Sequence, residues 1–425
     1  MEKRIVRVFA VLVCPLLTAQ TPPDRAPIPQ TLDLEQAVAL AIERNPTIAA
    51  AGNSVEMAEA DIITAGLHPN PSLIVSAEDY PYFRSDAGPF FSNQEFGARF
   101  DYEIQTKNRL KLRQKAAEGA ARREDASLED VVRLLRLDVQ TTFYQALLAQ
   151  SNLQLAESIL EKTDEVIALN RSRFEHGEIS ELELTRIEVE RLRFADDVFQ
   201  TRLELRNTKA ALLTLLNAPD LGTSLEMDGL LDDAPDVGLE LNTTPLQLYG
   251  IASTARPDLK AALAEIERSE AQNRFERAVT SPNITVGGGY KRNGRINSVV
   301  ARMVIPLAIF NRNQGGVLRS GAEIRQAENL AAAARNRIEL EIRQAYNALQ
   351  VNRERVEYIR SQQLRQSEKA SQVTLDAYRL GGAPVMDYLD AQRRYRDTIR
   401  VFNQALFDER VSRFVLAAAV GVGGR

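Results

Sequence analysis

The stretch RSRFEHGEISELELTR, residues Arg171 to Arg186, occurs again near the other end of the chain as LDAYRLGGAPVMDYLDAQRR, residues Leu375 to Arg394. In each copy a long segment with helical apolar spacing leads to an aromatic residue, two spacers and a glycine, and a second long segment follows. The glycines are Gly177 and Gly381. A chain leaving a helix often needs a positive φ, which glycine adopts without a Cβ penalty. The pattern therefore predicts a helical hairpin turn, present twice.

The duplication extends over most of the 425 residues. Pro46 and Pro257, which interrupt helical segments, lie 211 residues apart, and the same spacing separates Pro71 from Pro282, which precede strand-like stretches. Further along, equivalent aromatic residues lie 203 and 204 residues apart: Phe143 with Tyr346, and Phe174 with Tyr378. The shared spacing of the two proline pairs, with the similar spacings of the aromatic pairs, predicts an internal repeat of about two hundred residues. This is far longer than the period of a solenoid.

The first residues have the pattern of a secretory signal peptide, because Lys3, Arg4 and Arg7 precede a short apolar run that ends at Ala19. A buried N-terminal helix is one alternative, and lipid modification of Cys14, the only cysteine, is another. Removal of the signal would leave no thiol for a disulfide or a metal site. We expect these units: signal peptide 1–19, proline-rich segment 20–30, first repeat 31–220, linker 221–243 and second repeat 244–425.

Four stretches of about ten residues alternate between apolar and polar side chains, which is typical of β-strands with one apolar face. The predicted strands are 71–80, 95–105, 283–292 and 297–307. Their length suits tilted transmembrane strands, although a half-buried soluble sheet explains the alternation equally well. Four strands cannot close a barrel by themselves.

The remaining segments predict very long helices. From about Leu110 to Phe174 the chain has almost no helix breaker, which corresponds to a helix of roughly 100 Å. A return arm runs from Glu181 to about Leu216, and the second repeat has a similar pair. Narrow apolar stripes on such helices favour coiled-coil packing. We therefore predict a mainly α protein with a small antiparallel β part.

The residue types argue against an enzyme or a metal site. A net charge of -5 gives no electrostatic support for a nucleic-acid partner. His68 and His176, the only histidines, lie on different segments, so neither a zinc site nor a catalytic histidine pair is supported. The triplet Gly287 to Gly289 lies inside a predicted strand and precedes no helix, which excludes a phosphate-binding loop. We predict no catalytic residue, cofactor or metal.

Asp387 and Asp390 are the exception among the carboxylates, because they lie three residues apart after the second turn and share one helix face. One interpretation is ordinary negative charge near a helix N-terminus, where the helix dipole stabilises it. The other requires several copies around an axis, in which each aspartate becomes a ring that favours cations and gates a pore.

Taken together, these features resemble the TolC-type outer-membrane efflux channels. The resemblance covers nearly all of the mature chain, through the order and duplicated spacing of its motifs. These are LDLEQAVALAIERNP and PLQLYGIASTARPDLKAA at the repeat starts, Pro71 and Pro282 before the strands, and the turns RFEHGEIS and AYRLGGAPVMDYLDA. The stretch YEIQTKNRLKLRQKAA further looks like the branch that serves heavy-metal cation pumps.

The resemblance implies a homotrimer in the Gram-negative outer membrane with a periplasmic extension. Three chains would close a twelve-stranded barrel in the outer-membrane lipid, and their helical hairpins would form a hollow periplasmic α-barrel. Such a channel conducts passively what an inner-membrane pump of the RND type expels through a periplasmic adaptor (membrane fusion) protein. A soluble periplasmic coiled-coil adaptor or scaffold is the alternative, which shares the hairpins but lacks paired amphipathic strands.

By the same resemblance, the hairpin tips contact the adaptor through Phe174, Gly177, Ser180, Gly381, Gly382 and Pro384. Asp387, Asp390 and Tyr378 match the periplasmic gate. Two positions depart from the family pattern. Ala383 stands where an arginine takes part in the closed-state lock of the best-known member, and Pro384 replaces the usual small hydroxyl residue.

Overall fold

The structure is a computed structural model that describes residues 28–79, 94–218, 225–239 and 243–422. The predicted signal peptide, with Cys14, lies outside the described residues. Within these ranges, no helix combines the length and the apolar character needed to cross a membrane.

Each half of the chain begins with two helices separated by a proline. Helix α1 (Leu34–Arg44) starts at Asp33, whose carboxylate accepts a hydrogen bond from the Gln36 amide at 2.8 Å, while the Gln36 side chain accepts one from the Asp33 amide. This reciprocal capping box satisfies amide groups that the first helical turn leaves unpaired. Helix α2 (Pro46–Gly66) follows, with proline in the first turn, where its missing N–H costs nothing.

The second half repeats this arrangement with other residues. Thr244 and Gln247 form the capping box of α5 (Pro245–Ala255), and α6 (Pro257–Val279) again begins at a proline. Local capping chemistry therefore starts the first helix of both halves in the same way.

The strands form two sheets in the described part of the chain. The larger one has the order β2 (Ser72–Glu78), β3 (Glu95–Ile104), β5 (Ile284–Asn293) and β6 (Ile296–Val304), with every neighbouring pair antiparallel. The smaller is a parallel pair, β1 (Thr31–Leu32) with β4 (Glu226–Met227). We did not predict this pair from the sequence, because two-residue strands are too short to show alternation. Within the large sheet, β2 and β6 are the edges.

The two faces of the large sheet differ strongly. Leu73, Phe100, Val299 and Met303 are exposed on one face, with Val299 at 90%. On the other face, Asp101 forms ion pairs with Arg99 at 2.8 Å and with Arg302 at 3.8 Å. One face therefore suits an apolar environment, and the opposite face is charged.

The predicted glycine triplet lies within β5 and makes room for this charged face. A Cβ at Gly287 would overlap the Asp101 carboxylate, and one at Gly289 would overlap the backbone of β3 at Ala98 and Arg99. The triplet is therefore a close-packing feature of the sheet.

The predicted long helices are confirmed. Helix α3 (Arg109–Glu175) has 67 residues and therefore a length of about 100 Å, and α4 (Glu181–Leu215) returns beside it. The second half has α7 (Gln314–Tyr358), α8 (Arg365–Arg379) and the return helix α9 (Val385–Val420). A π-helical segment, Ile359–Leu364, separates α7 from α8 and was not predicted.

The residue before each interrupting proline anchors the end of the return helix of its own half. The Asn45 side chain donates a hydrogen bond to the Leu215 carbonyl at 3.0 Å. Arg256, which is 1% exposed, donates to the Ala419 carbonyl at 3.0 Å and forms ion pairs with Asp258 and Glu341. Burial tends to raise the pKa of Asp258, but the hydrogen bonds and charge of Arg256 outweigh it and leave that pKa below its usual value.

The helices pack side by side in a layer that is four helices wide. Near the sheet the order of contacts is α2, α3, α6 and α7, and near the hairpin turns it is α4, α3, α9 and α8. The edges of the layer are therefore α2 and α4 on one side, and α7 and α8 on the other. An apolar cluster from α3, α4, α8 and α9 fills the layer near the turns.

Candidate functional site

The two hairpin turns have the same backbone. Gly177 and Gly381 have φ of 73° and 75°. The amide after each glycine bonds a carbonyl five residues back at 2.8 Å, from Glu178 to Arg173 and from Gly382 to Ala377. This is the hydrogen bond of a Schellman helix end, in which a left-handed glycine lets the chain satisfy carbonyls that the helix leaves open. The predicted glycine turns are present in both hairpins.

The first turn presents its side chains to solvent. Phe174, Gly177 and Ser180 are exposed, with Phe174 at 40%. Ser180 caps α4 by accepting a hydrogen bond from the Glu183 amide at 3.2 Å. This tip therefore offers an aromatic ring and polar groups to another molecule.

The second turn is exposed at Gly381, Gly382 and Pro384, and Ala383 is half-buried. Pro384 occupies the N-cap position of α9 without a side-chain cap, so no hydroxyl does there what Ser180 does in the first turn. Leu380, at 87% exposure, is the prominent apolar side chain of this tip.

Tyr378 is buried between the helices and does not lie at the surface of the tip. Its ring is 4% exposed, and its hydroxyl donates a hydrogen bond to the Asn170 side chain at 2.7 Å. Tyr388 stacks on it with ring centroids 6.3 Å apart, and the Arg173 guanidinium lies over the Tyr378 ring at 5.1 Å. Burial raises the pKa of the Tyr388 phenol. Tyr378 therefore joins the second hairpin to the first through a buried polar contact with α3.

Asp387 and Asp390 are both exposed near the start of α9. The Asp390 carboxylate forms an ion pair with Arg393 at 2.6 Å, and its side chain remains 51% exposed. The structure thus leaves both aspartates accessible to solvent, and it gives Asp390 a cationic neighbour one turn further along.

Arg393 leads to a buried carboxylate that the sequence analysis missed. Arg393 Nε lies 2.9 Å from Glu190 Oε1 on α4, an ion pair without hydrogen-bond alignment. Glu190 is 4% exposed, and its other oxygen accepts a hydrogen bond from Arg193 at 3.2 Å. We call Glu190, Arg193, Arg393 and Asp390 the Glu190 cluster. It connects the exposed aspartate of the second hairpin to the interior of the first.

A second contact between the same helices lies seven residues further along. Asp197 on α4 accepts a hydrogen bond from Arg400 at 2.7 Å and lies 3.6 Å from Arg396. The acids and the arginines are each spaced by seven residues, which keeps both contacts on one side of each helix. That spacing was visible in the sequence, but the pairing was not, because the partners lie about two hundred residues apart.

No metal site accompanies these carboxylates in the described ranges, where no three His, Cys, Asp or Glu side chains are grouped to hold an ion. In one chain the acidic side chains of the tip are paired with arginines or open to solvent.

The chain is similar in sequence and fold to several known proteins. The cobalt-zinc-cadmium resistance protein CzcC of Cupriavidus metallidurans is 26% identical over 372 residues, covering 85% of this chain and 83% of that protein. The pyoverdine export outer membrane protein OpmQ of Pseudomonas putida is 27% identical over 396 residues, covering 85% and 80%. The crystal structure of CusC has the same fold, with a TM-score of 0.76 at 19% identity and 92% coverage of both chains.

The family model for outer membrane efflux proteins matches residues 37–218 and 248–421. These two segments carry the long hairpins and the paired strands, so the predicted fold class and the predicted resemblance are both confirmed. The family model and OpmQ are both named for the outer membrane, the first for efflux and the second for pyoverdine export. This chain belongs to the outer membrane efflux protein family.

Proposed function

We propose that three copies of this chain form the outer-membrane channel of a tripartite efflux system. The channel is passive: an inner-membrane pump expels the substrate, a periplasmic adaptor connects pump and channel, and the trimer conducts the substrate outward. The two repeats, 31–220 and 244–425, joined by the linker 221–243, each contribute one helical hairpin and one pair of strands.

The observation that carries this proposal is the pair of unpartnered edges in the single chain. Strands β2 and β6 end the sheet, and large apolar side chains are exposed along the helices at the same two edges. On α2 and α4, counting Leu67 directly after α2, these are Met57, Ile63, Leu67, Leu182, Val189, Leu192, Phe199 and Leu203. On α7 and α8, counting the turn residue Leu380, they are Leu318, Leu330, Leu340, Val351, Tyr358, Val373 and Leu380.

Opposite edges that differ from each other favour a head-to-tail assembly that closes into a ring. In such a ring β6 of one copy pairs with β2 of the next, and α7 and α8 pack against the neighbour's α2 and α4. Closure satisfies the backbone groups of the edge strands, which lipid cannot do. Three copies supply twelve strands, the number that the resemblance to TolC-type channels implies.

The gate in this proposal lies at the second hairpin. In the trimer Asp387 and Asp390 form rings of carboxylates at the periplasmic entrance, which favour cations. Tyr378 and the Glu190 cluster hold the second hairpin against the first, so they set the width of that entrance. The exposed residues of the two tips, Phe174, Gly177 and Ser180 with Gly381, Gly382 and Pro384, dock the adaptor, which links to a pump of the RND type.

For the substrate we propose divalent metal cations. The relative CzcC is named for cobalt, zinc and cadmium resistance and aligns with 85% of this chain, and the acidic entrance is compatible with cationic cargo. The relative OpmQ is named for pyoverdine export, so a siderophore is the competing cargo to be measured beside the metals.

Three measurements test the channel itself. Membrane fractionation should recover the protein with the outer membrane, and the purified protein should migrate as a trimer and produce discrete conductance steps in planar bilayers. Recovery only in the soluble periplasm would support the adaptor or scaffold alternative and reject the channel. For cargo, deletion of the gene should lower the tolerated concentrations of cobalt, zinc and cadmium, and a loss confined to siderophore export would reject the metal assignment.

A further inference from the structure

The apolar face of the sheet ends in arginine. Along β5, Val286, Gly288, Tyr290 and Arg292 share one face because side chains alternate in a strand. The register places Arg292 opposite Phe96 on β3 and opposite Asn297 on β6. Arg292 therefore lies at one end of the face that carries the exposed apolar side chains.

That end of the sheet is the one away from the helices. The strands join the helices through their ends near Ser72, Ile104, Ile284 and Val304. At the opposite end, β5 and β6 are joined by a two-residue turn of Gly294 and Arg295. If the helices extend into the periplasm, as the proposed function requires, this turn lies at the outer surface of the membrane.

The cations of the sheet fall into two groups. Those on the charged face have carboxylate partners: Arg99 and Arg302 contact Asp101, and Lys291 contacts Glu95. Arg292 and Arg295 are both exposed and form no ion pair with a carboxylate in the described chain. The hydrogen bond of Arg292 goes from Nε to the Gly294 carbonyl at 3.0 Å, which leaves the terminal nitrogens of its guanidinium open.

Along the sheet, from the helices towards these arginines, the side chains change from apolar to polar, as the layers of a membrane leaflet do from acyl chains to headgroups. Met303, apolar and exposed, lies nearer the helices, and Val299 and Tyr290 then lie opposite each other on β6 and β5. Tyr290 is half exposed, and its hydroxyl bonds Asn297, the register partner of Arg292, at 2.5 Å. Tyrosine is typical of the boundary between acyl chains and headgroups, because its ring is apolar and its hydroxyl is polar. Arg292 and Arg295 then lie at the level of the headgroups.

We propose that Arg292 and Arg295 bind phosphate groups of the phosphorylated glycolipid in the outer leaflet. Guanidinium groups match phosphate oxygens in a bidentate fork, and this contact strengthens where water is partly excluded. The site forms one anionic-lipid contact per copy beside the turn, and it rests on the proposed placement in the outer membrane. Its role is to fix the depth of the channel in the bilayer, and it needs no contact with the conducted substrate.

A second copy of the chain is the competing partner. In a closed ring β2 of the neighbour lies beside β6, which brings Asp79, at the end of β2, towards the turn. This explanation covers Arg295 more easily than Arg292, because Arg292 lies on β5, one strand in from the edge. It predicts that the partner is a carboxylate and not a lipid.

The test uses the full-length protein purified in detergent and freed of lipid. Thermal dissociation of the oligomer is measured with diphosphorylated lipid A, with lipid A stripped of its phosphates, with phosphatidylglycerol and with inorganic phosphate. We expect diphosphorylated lipid A to raise the dissociation temperature of the native protein by about 5 °C, and the other three to raise it much less.

The double variant Arg292→Gln/Arg295→Gln should lose most of that shift. Lys291→Gln is the matched control: it removes a neighbouring cation on the opposite face and should keep the shift. A full shift in the double variant would overturn the proposal. An equal shift from inorganic phosphate would indicate an adventitious ion only, and an equal one from phosphatidylglycerol would remove the preference for the outer leaflet.

Two further outcomes separate the remaining explanations. If Asp79→Asn lowers the lipid-free dissociation temperature as much as the double variant does, the arginines pair with a second copy and the lipid assignment fails. A native protein that forms conducting trimers but gives no response to lipid A would reject this inference alone. Absence from the outer membrane, or absence of conductance, would instead reject the proposed function.

Discussion

The two hairpin tips have one backbone and two different surroundings. In both, a helix ends at a glycine of φ near 75° with the same pair of hydrogen bonds. At the first tip the aromatic residue before the glycine, Phe174, is 40% exposed, whereas its counterpart Tyr378 is 4% exposed and bonded to Asn170. The shape of each turn comes from its glycine, and the difference in role comes from the side chains that surround it.

Equivalent positions in the two tips therefore make different contacts. At the first tip the aromatic side chain is exposed to solvent. The second tip is held against α3 by Tyr378 and against α4 by Arg393, so a movement of the second hairpin must break contacts with the first. The largest differences between the tips should therefore appear in variants that remove those contacts.

Arg393→Met should have the largest effect. It leaves the buried carboxylate of Glu190 with Arg193 alone, and the loss of one partner from this partly buried ion pair costs about 2 kcal/mol. We expect the second hairpin to loosen and the single-channel conductance in planar bilayers to increase.

Arg193→Met is the control for this variant. It removes the second arginine partner of Glu190, which lies on α4 with Glu190, and leaves the contact between the hairpins in place. Equal conductance in the two variants would mean that Arg393 does not hold the hairpins together.

Tyr378→Phe should have the next largest effect. It deletes the hydroxyl that bonds Asn170 in a buried setting, for which we expect a loss of about 1.5 kcal/mol in the free energy of unfolding. A larger change at the equivalent position of the first tip, Phe174→Leu, should still cost less than about 0.5 kcal/mol because the site is exposed. Chemical denaturation of the purified protein measures both, and similar losses at the two tips would contradict the asymmetry.

Asp390→Ala tests the proposed acidic entrance. Without the ring of Asp390 carboxylates, the concentration of a trivalent cation needed for half-block of the reconstituted pore should rise roughly tenfold, equivalent to about 1.4 kcal/mol. The counterpart of Asp390 in the first hairpin is Arg186, and Arg186→Ala should leave the block unchanged. Unchanged block in Asp390→Ala would remove that residue from the gate.

Substitution of the two turn glycines should have a small effect on stability, and the effect should be similar at both tips. Gly177→Ala and Gly381→Ala each force a Cβ into a left-handed conformation at a cost of about 1 kcal/mol. Hydrogen exchange at the amides of the two turns should therefore accelerate to a similar extent. A much larger acceleration at one tip would show that its backbone, and not only its surroundings, differs from that of the other.

Local patterns predicted most of the fold. The alternation at Phe96 to Ile104 and the unbroken run from Leu110 to Phe174 each depend on neighbours in the chain, so strand and helix could be assigned from the sequence alone. The parallel pair of β1 and β4 could not, since Thr31–Leu32 carries too few residues to show a period.

The buried contacts near the tips were harder to predict from the sequence. The sequence indicated Asp390 through its position after the glycine turn, and Arg393 lies only three residues further along. Glu190 was missed because its burial and its contact with Arg393 depend on how the two hairpins pack together, which no local pattern reports. Tyr378 was correctly aligned with Phe174, but the alignment carried no information about which of the two rings is buried.

The π-helical segment Ile359–Leu364 accounts for a small mismatch between the two halves. Equivalent residues lie 203 apart at Phe143 and Tyr346 but 204 apart at Phe174 and Tyr378, so the second arm has one more residue than the first between these points. One residue turns an α-helix by about 100°, enough to swing Tyr378 away from Asn170. A wider π turn absorbs an added residue without changing the phase of the helix beyond it. The segment thus keeps the second tip in phase with the first, and deletion of one residue there should return the π turn to an α-helix and leave Tyr378 in contact with Asn170.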